Sequence, residues 1–311
     1  MREFELIVSV ASPGELAGTD LSPYDSVCLG SPYCRRVEGN FAEELERLEG
    51  IVSRLHGIGK KAYVTSPAVP RQADLPHVAR LVEAASAAGA DALEVHNLGA
   101  LRILREMGRP IPAHMGAYAN VYTHLAAGVM RDAGAVRVRP NAEVTLEEMA
   151  AIARDAGVEV EVLVHGKIPL GVTDRCFLLT EEEKTDPRCP AACGEVHWLT
   201  TRQWVLKTVG KGVLSGRDMC LLEHLPRLAG DGFRVFRVEG LYETAEYRSA
   251  IGAIYREALE GVFAGREHTV AEDWASAVRR HAARGLCNGY CFGTAGRKYV
   301  GKVLHADNPV V

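Results

Sequence analysis

Eight short apolar runs, each about as long as a β-strand, constrain the fold of this chain more than any other feature. Most of them are separated by segments with the periodicity of amphipathic helices. Strands that alternate with helices predict a parallel sheet, and eight repeats in about 240 residues favour a closed, TIM-barrel-like (β/α)8 barrel over an open doubly wound sheet. The runs are FELIVSV (4–10), SVCLG (26–30), AYVTS (62–66), ALEVHN (92–97), IPAHMG (111–116), AVRVRP (135–140), VEVEVLVHG (158–166) and FRVFRVEG (233–240).

Three segments between and after these strands have the pattern of helices. NFAEELERLEGIVSRL, residues 40–55, places its apolar residues on one face, and Asn40 is the expected N-cap. TLEEMAAIARDAG, residues 145–157, opens with a capping box and ends on a glycine. TAEYRSAIGAIYREALEG, residues 244–261, is expected to be the closing helix of the barrel.

The connection between the seventh and eighth strands is long, and a barrel places it on the C-terminal face, where barrel enzymes carry their chemistry. We predict a barrel domain over residues 1–261 that includes a cysteine-bearing loop at 167–232. Residues 262–311 are predicted to form a C-terminal extension that packs on the barrel.

Composition narrows the class of protein. A net charge of -4 does not indicate that the chain binds nucleic acid, although a local basic patch is compatible with this net charge. The first ten residues do not read as a secretory signal, and no apolar run approaches the ~20 residues of a membrane span. We therefore expect a soluble cytoplasmic protein, in which the eight cysteines are poor candidates for disulfides.

Three of the cysteines, Cys176, Cys189 and Cys193, form a C-x12-C-x3-C run in the long connection. Thiolates are preferred ligands of zinc and of iron–sulfur clusters. Structural zinc usually takes two closely spaced pairs, whereas this run has one pair and one distant cysteine. The small or rigid residues around the pair would let backbone N–H groups approach bridging sulfides. The pattern favours a cluster over zinc, with the fourth ligand drawn from Cys34, Cys220, Cys287 and Cys291.

Other residues give weaker indications. Cys28 lies within an apolar strand and is expected to be a buried small hydrophobe. Polar side chains end several strands on the C-terminal face of the predicted barrel. The sequence lacks H-E-x-x-H, G-x-S-x-G, a Walker A loop and a convincing dinucleotide-binding G-x-G-x-x-G. Zinc-protease, serine-hydrolase, nucleotide-hydrolase and Rossmann functions therefore lose most of their support.

Residues 158–179, VEVEVLVHGKIPLGVTDRCFLL, resemble the signature of the peptidase U32 family. The likeness continues through Cys189-Pro-Ala-Ala-Cys193, SGRDMCLLEHLPRL (215–228) and FRVFRVEGLYETAEYRSAIGAIYREAL (233–259). The resemblance implies oxygen-independent hydroxylation with a [4Fe-4S] cluster. Substrates in the family are transfer RNA, ribosomal RNA or a ubiquinone precursor, and prephenate is implicated as oxygen donor.

One departure points to a branch of this family. Pro169 stands where the usual pattern has its first cysteine, as in the V-type subunit of the anaerobic ubiquinone-biosynthesis hydroxylation proteins. That subunit is also similar in having a lone cysteine after Leu-Gly, here Cys34, and a C-terminal C-N-G-Y, here at Cys287. The resemblance implies Cys34 as fourth ligand. Cys220 is the alternative, because it matches the position that the U-type partner uses.

The resulting expectation is a [4Fe-4S] protein of ubiquinone biosynthesis that forms a heterodimer with a U-type paralogue and acts on a small molecule. Whether this chain is the catalytic or the supporting subunit stays open. His165 and Glu239 are the candidate catalytic residues, and Arg139 and Arg175 are candidate anchors for the dicarboxylate donor. The alternatives are an RNA-modifying factor, which the acidic balance disfavours, and a U32-type protease, for which no motif supplies a nucleophile.

Overall fold

The computed structural model describes residues 3–34, 39–108, 111–176, 178 and 197–304 of the 311-residue chain. The described residues form twelve β-strands: β1 (Glu5–Val10), β2 (Ser26–Leu29), β3 (Lys61–Thr65), β4 (Ala92–Val95), β5 (Ala113–Met115), β6 (Ala135–Val138), β7 (Glu159–Val172), β8 (His197–Thr200), β9 (Val205–Val209), β10 (Gly212–Cys220), β11 (Val235–Val238) and β12 (Leu286–Cys287). They also form nine α-helices: α1 (Pro13–Leu16), α2 (Leu48–Gly57), α3 (Leu75–Ala87), α4 (Leu98–Glu106), α5 (His124–Asp132), α6 (Leu146–Ala156), α7 (Leu225–Gly230), α8 (Ala245–Phe263) and α9 (Glu272–His281).

Eight of these strands close into a parallel barrel. Strands β1 to β7 pair in chain order, and β11 lies between β7 and β1 and pairs in parallel with both. All eight strands predicted from the sequence are present, and the predicted (β/α)8 barrel is confirmed. Apolar side chains on the outer faces of the strands pack against the surrounding helices and form the main core.

Two helices follow their local signals closely, whereas a third does not. Helix α6 is capped by Thr145 and ends at Gly157, which has φ 61°, and α8 begins after the cap Thr244. The prediction of a helix over 40–55 was wrong at its start, since α2 begins only at Leu48. The Asn40 side chain instead accepts hydrogen bonds from the backbone N–H groups of Ser31 and Ala42 and donates one to the carbonyl of Cys34. Tertiary contacts therefore use the residue that would have capped the helix.

The long connection after the seventh strand continues the sheet. Strand β7 extends six residues beyond its predicted end, and β10 pairs with it antiparallel. Strands β9 and β8 add to β10 in turn, so that β7 to β10 form a sheet extension that projects from the barrel. Cys189 and Cys193 lie outside the described residues.

The chain after α8 returns to this sheet extension. Helix α9 packs against α8, and β12 pairs in parallel with β10 at Asp218 and Met219. Leu286 and Cys287 of β12 are buried in the main core. The division at residue 261 between barrel and extension stays a prediction.

Within the described part of the chain, no helix combines the length and the apolar character needed to cross a bilayer.

Candidate functional site at the barrel mouth

The interior of the barrel contains a thin apolar layer with charged side chains close to it. The layer consists of Ile7, Cys28, Tyr63, Ala92 and Val235, so the expected burial of Cys28 is confirmed. Arg237 spans the barrel: its guanidinium lies 2.7 Å from Glu94, 2.5 Å from Glu161 and 2.9 Å from the Ser9 hydroxyl. These contacts join β11 to β1, β4 and β7 through the interior.

The charges in this network hold one another in their ionised forms. Burial by itself would raise the pKa of Glu94, but Arg237 and Arg139 hold that pKa well below its usual value. Burial opposes the positive charge of Arg237, yet Glu161 and Glu94 raise its pKa well above the usual value. The network is therefore a set of mutually dependent buried ions.

Arg139 and Glu239 lie together above this network, at the carboxyl ends of β6 and β11. The Nη1 atom of Arg139 is 3.6 Å from Glu239 Oε2 and 3.8 Å from Glu161 Oε1. Both side chains are buried, yet the Nε and Nη1 atoms of Arg139 have no hydrogen-bond partner among the described residues. A buried guanidinium with unused N–H groups is suited to bind a carboxylate.

Three tyrosines cover the mouth. The Tyr33 ring lies 5.8 Å from the Tyr118 ring and 6.4 Å from the Tyr242 ring. Burial, followed by the neighbouring Tyr118 and Glu239, raises the pKa of Tyr33 well above its usual value. These neutral rings shield the Arg139–Glu239 pair from water.

His96 forms part of the wall beneath Tyr118. Its Nε2 atom is 3.0 Å from the Thr65 hydroxyl, and its ring lies 5.7 Å from the Tyr118 ring. The ring rests against Gly116, where a Cβ atom would lie only 2.1 Å from it. Gly116 is therefore needed for this placement.

His165, a candidate catalytic residue, faces a different part of the molecule. Its Nδ1 atom is 3.2 Å from the Tyr255 hydroxyl, and its ring packs near Tyr247, so it lies between β7 and α8. Burial, followed by the charge of Lys167, lowers the pKa of His165 to about 3. The structure thus brings Arg139 and Glu239 together at the mouth and places His165 on the other side of the barrel wall.

A β-bulge explains the orientation of His165. Arg237 pairs with Leu163, but the next residue of β11, Val238, pairs with His165. The extra residue in β7 breaks the alternation that would have pointed His165 in the same direction as Glu161 and Leu163. Sequence periodicity alone does not reveal such an irregularity.

The segments that carry two of the candidate cluster ligands, Cys34 and Cys176, meet at one turn of the sheet extension. The Cys176 thiol is 3.6 Å from the carbonyl oxygen of Gly210, in the turn between β9 and β10. The Tyr33 ring packs on Gly212 at the same turn, where a Cβ atom would lie 2.4 Å from the ring. Cys34 follows Tyr33 directly, so the loop after β2 and the segment after β7 meet at this turn.

Arg175, the other candidate anchor, is an exposed residue next to Cys176. Its carbonyl accepts a 2.6 Å hydrogen bond from the Thr173 hydroxyl. This places Arg175 beside the β9–β10 turn and outside the buried Arg139–Glu239 pair.

Cys220 lies at the opposite end of the sheet extension. It pairs with His165, whereas Val172 pairs with Gly212 beside the Cys34 and Cys176 segments. A strand rises about 3.3 Å per residue, which separates these two ends by roughly 20 Å. Cys220 is fully buried 3.6 Å from the Tyr255 hydroxyl, and burial raises its pKa to about 12.

Cys287 and Cys291 are also buried thiols. Burial raises the pKa of Cys287 to about 11 and that of Cys291 to about 12. Among the residues with described positions, no group of three or more His, Cys, Asp or Glu side chains forms a metal site. The other two cysteines of the C-x12-C-x3-C run lie outside those residues.

Sequence reasoning missed the charged network and the tyrosine cover. Glu94 and Arg237 each occupy an alternate position in a strand that is otherwise apolar, and Glu161 lies in the otherwise apolar stretch 160–164 of β7. Polar residues at such positions of predicted barrel strands signal an ionic interior. No comparable local signal marks Tyr33, Tyr118 or Tyr242, which follow three different strands.

A closed (β/α)8 barrel with an ionic interior, a covered mouth and a cysteine-bearing sheet extension defines the class of this protein. Residues 24–300 match the sequence profile of Peptidase family U32, and the chain belongs to this family.

Relatives from two organisms illustrate the range of the family. An uncharacterized protease of Methanocaldococcus jannaschii is 29% identical over 81% of this chain and 64% of its own length. The tRNA hydroxylation protein P of Escherichia coli is 25% identical over 78% of this chain and 64% of its own length. The 23S rRNA 5-hydroxycytidine C2501 synthase of the same organism is 25% identical over 78% of this chain and 37% of its own length. The chain thus spans less than two thirds of each relative.

Proposed function

We propose that this chain is an iron–sulfur protein of oxygen-independent hydroxylation, with a [4Fe-4S] cluster held by Cys34, Cys176, Cys189 and Cys193. The observation that carries the proposal is the meeting of the Cys34 and Cys176 segments at the β9–β10 turn. Cys220 lies roughly 20 Å away along β7, too far to share one cluster with Cys176 in this arrangement. The geometry therefore favours Cys34 over Cys220 as the fourth ligand.

The cluster would supply electron transfer, since four thiolates complete the coordination of one cubane. Binding of the oxygen donor falls to the barrel mouth. Arg139 has unused N–H groups for a carboxylate of a dicarboxylate donor such as prephenate, and Glu239 lies beside it. The tyrosine cover excludes water from this pair. Arg175 would provide a second anchor from its position beside the β9–β10 turn. His165 would have to transfer a proton from the other side of the barrel wall.

Two substrates are candidates for the same chemistry. The cysteine pattern supports a ubiquinone precursor, hydroxylated by a heterodimer of this chain with a U-type paralogue. The relatives from Escherichia coli, whose names specify hydroxylation of tRNA and of 23S rRNA, support RNA as the second candidate.

The cluster is tested by anaerobic purification and measurement of iron, sulfide and zinc per chain, together with the visible spectrum. We expect about four irons and four sulfides and a broad charge-transfer band. Cys34→Ser should abolish the band, whereas the matched variant Cys220→Ser should keep it. The reverse pattern would move the ligand set to the U-type arrangement, and one zinc without sulfide would refute the cluster.

The substrate is tested in a strain that lacks this chain. Loss of a hydroxylated ubiquinone intermediate, restored only when the U-type paralogue is also present, supports the heterodimer. Loss of a hydroxylated nucleoside from tRNA or rRNA supports the RNA candidate. Retention of both products would refute the proposed reaction.

A further inference from the structure

A cleft with a volume of about 1270 Å³ lies between the sheet extension and the C-terminal segment. Five of its lining residues are cationic, and no acidic residue is present in the described lining. Because the whole chain has a net charge of -4, this positive surface is a local feature. We call it the basic cleft; its cations are Arg202, Arg217, Arg284, Arg297 and Lys298.

The basic cleft and the barrel mouth lie on opposite faces of the sheet extension. Lys207 pairs with Leu214, and the next pair along the ladder is Leu206 with Ser215. The first pair faces the mouth, since Leu214 packs with Tyr33 and the Lys207 ammonium donates to the carbonyl of Tyr242. Successive residues alternate in direction, so Leu206 and Ser215 face the cleft that they line.

Among the described residues, no ion pair offsets the charge of the exposed cations of the cleft. Arg202, Arg297 and Lys298 form no ion pair with a carboxylate among the described residues. Arg297 donates a 2.8 Å hydrogen bond to the carbonyl of Gln203, and Arg217 donates a 3.1 Å hydrogen bond to the carbonyl of Arg297. These carbonyl contacts fix the positions of the two guanidinium groups at the cleft.

Aromatic rings lie among these cations. The Trp204 side chain is 44% exposed, and Tyr290 is partly exposed. Cations that follow a phosphate backbone, with aromatic rings on which unpaired bases stack, are typical of single-strand binding grooves. The cleft is also larger than the roughly 300–1,000 Å³ of pockets for small molecules.

We propose that the basic cleft binds a single-stranded segment of RNA through phosphate contacts and base stacking. This inference rests on the RNA candidate of the proposed function, and it names a binding surface separate from the barrel mouth and the cysteines. Duplex RNA fits it less well, because paired bases do not offer their faces to Trp204.

The test is fluorescence anisotropy of the full chain with a labelled single-stranded RNA of mixed sequence, titrated at several salt concentrations. Arg202→Glu combined with Lys298→Glu should weaken binding at least tenfold. It should also reduce the slope of log K against log salt by about 1.4, because each phosphate that a cation neutralises contributes about 0.7 to this slope. Trp204→Ala should weaken binding by roughly tenfold with little change in the slope.

The matched controls are not among the residues that line the cleft. Arg54→Glu combined with Arg80→Glu changes the net charge equally on exposed positions of α2 and α3. Tyr122→Ala removes an aromatic ring of similar exposure, 43%. These variants should bind RNA within twofold of the parent chain. Arg202→Gln combined with Lys298→Gln repeats the test should the charge reversals alter the circular dichroism spectrum.

Equal weakening by cleft and control variants would overturn the inference, as would equal affinity for duplex RNA. Displacement of the RNA by micromolar pyrophosphate would reassign the cleft to a small phosphorylated ligand. RNA that binds at the cleft but is never hydroxylated would leave the surface established and refute the RNA substrate. If the cleft variants still hydroxylate RNA, RNA would be established as the substrate and the cleft would be refuted as its binding surface.

Discussion

Arg237 illustrates how one side chain organises the barrel interior. Its side chain is 1% exposed and contacts carboxylates from two other strands, Glu94 and Glu161. Exchanging such a network for apolar residues can be neutral, but removing one partner leaves uncompensated buried charge. Arg237 is therefore important for stability because its removal would leave the charges of Glu94 and Glu161 poorly compensated.

We predict that Arg237→Met lowers the free energy of unfolding by about 3–5 kcal/mol, because two buried carboxylates lose their nearest counter-ion. Urea unfolding followed by circular dichroism measures this loss. The control is Arg102→Met, which removes an i,i+4 pair with Glu106 from a side chain that is 78% exposed. The control should cost no more than about 0.5 kcal/mol. Similar losses for the two variants would contradict the assignment of a buried ionic network.

At the scale of elements, the sheet extension determines where the cysteine segments and the basic cleft lie. Strand β10 contacts β7, β9 and β12, so its geometry affects all of these sites. The register of β10 against β7 shifts between Leu214 and Asp218, and Gly216 lies within that irregular stretch. Gly216 permits a close approach of β9, since a Cβ atom there would lie 2.1 Å from the carbonyl oxygen of Val205.

We predict that Gly216→Ala displaces β9 and destabilises the protein by about 1–3 kcal/mol, the usual cost of overpacking. The contact is with backbone, which cannot rotate away as a side chain can. Urea unfolding measures the loss, and the emission of the neighbouring Trp204 reports the local displacement. Gly171→Ala in β7 is the matched control, because nothing lies within 4 Å of its added Cβ atom. A parent-like emission spectrum for Gly216→Ala would refute the close approach.

At the scale of the whole molecule, two neutral histidines are built into the fold. Burial, then the charge of Arg137, lowers the pKa of His114 to about 3, and burial lowers that of His165 similarly. Unfolded histidine has a pKa of about 6.5. Between these values the unfolded chain binds protons that the folded chain does not, so stability falls as the pH decreases from about 6.5 toward 3.

We predict that each of these histidines contributes a slope of about 1.4 kcal/mol per pH unit to the free energy of unfolding across this window. Urea unfolding at a series of pH values should therefore show that His114→Gln lowers this slope by about 1.4 kcal/mol per pH unit, the contribution of one proton. His124 is exposed, and His124→Gln should leave the slope of the parent chain unchanged. An unchanged slope for His114→Gln would show that His114 is protonated in the folded state.

The sequence by itself determined the eight barrel strands, the caps of α6 and α8 and the burial of Cys28. These features follow from periodicity and from side chains that bond to backbone a few residues away, which are local properties. It also gave the family signature, whereas the cluster and its ligand set stay proposals. Only the tertiary structure decided the direction of His165, the use of Asn40 away from α2 and the assembly of charges around Arg237. Each of these depends on atoms distant in the chain, through a bulge, a loop contact or strands that meet only when the barrel closes.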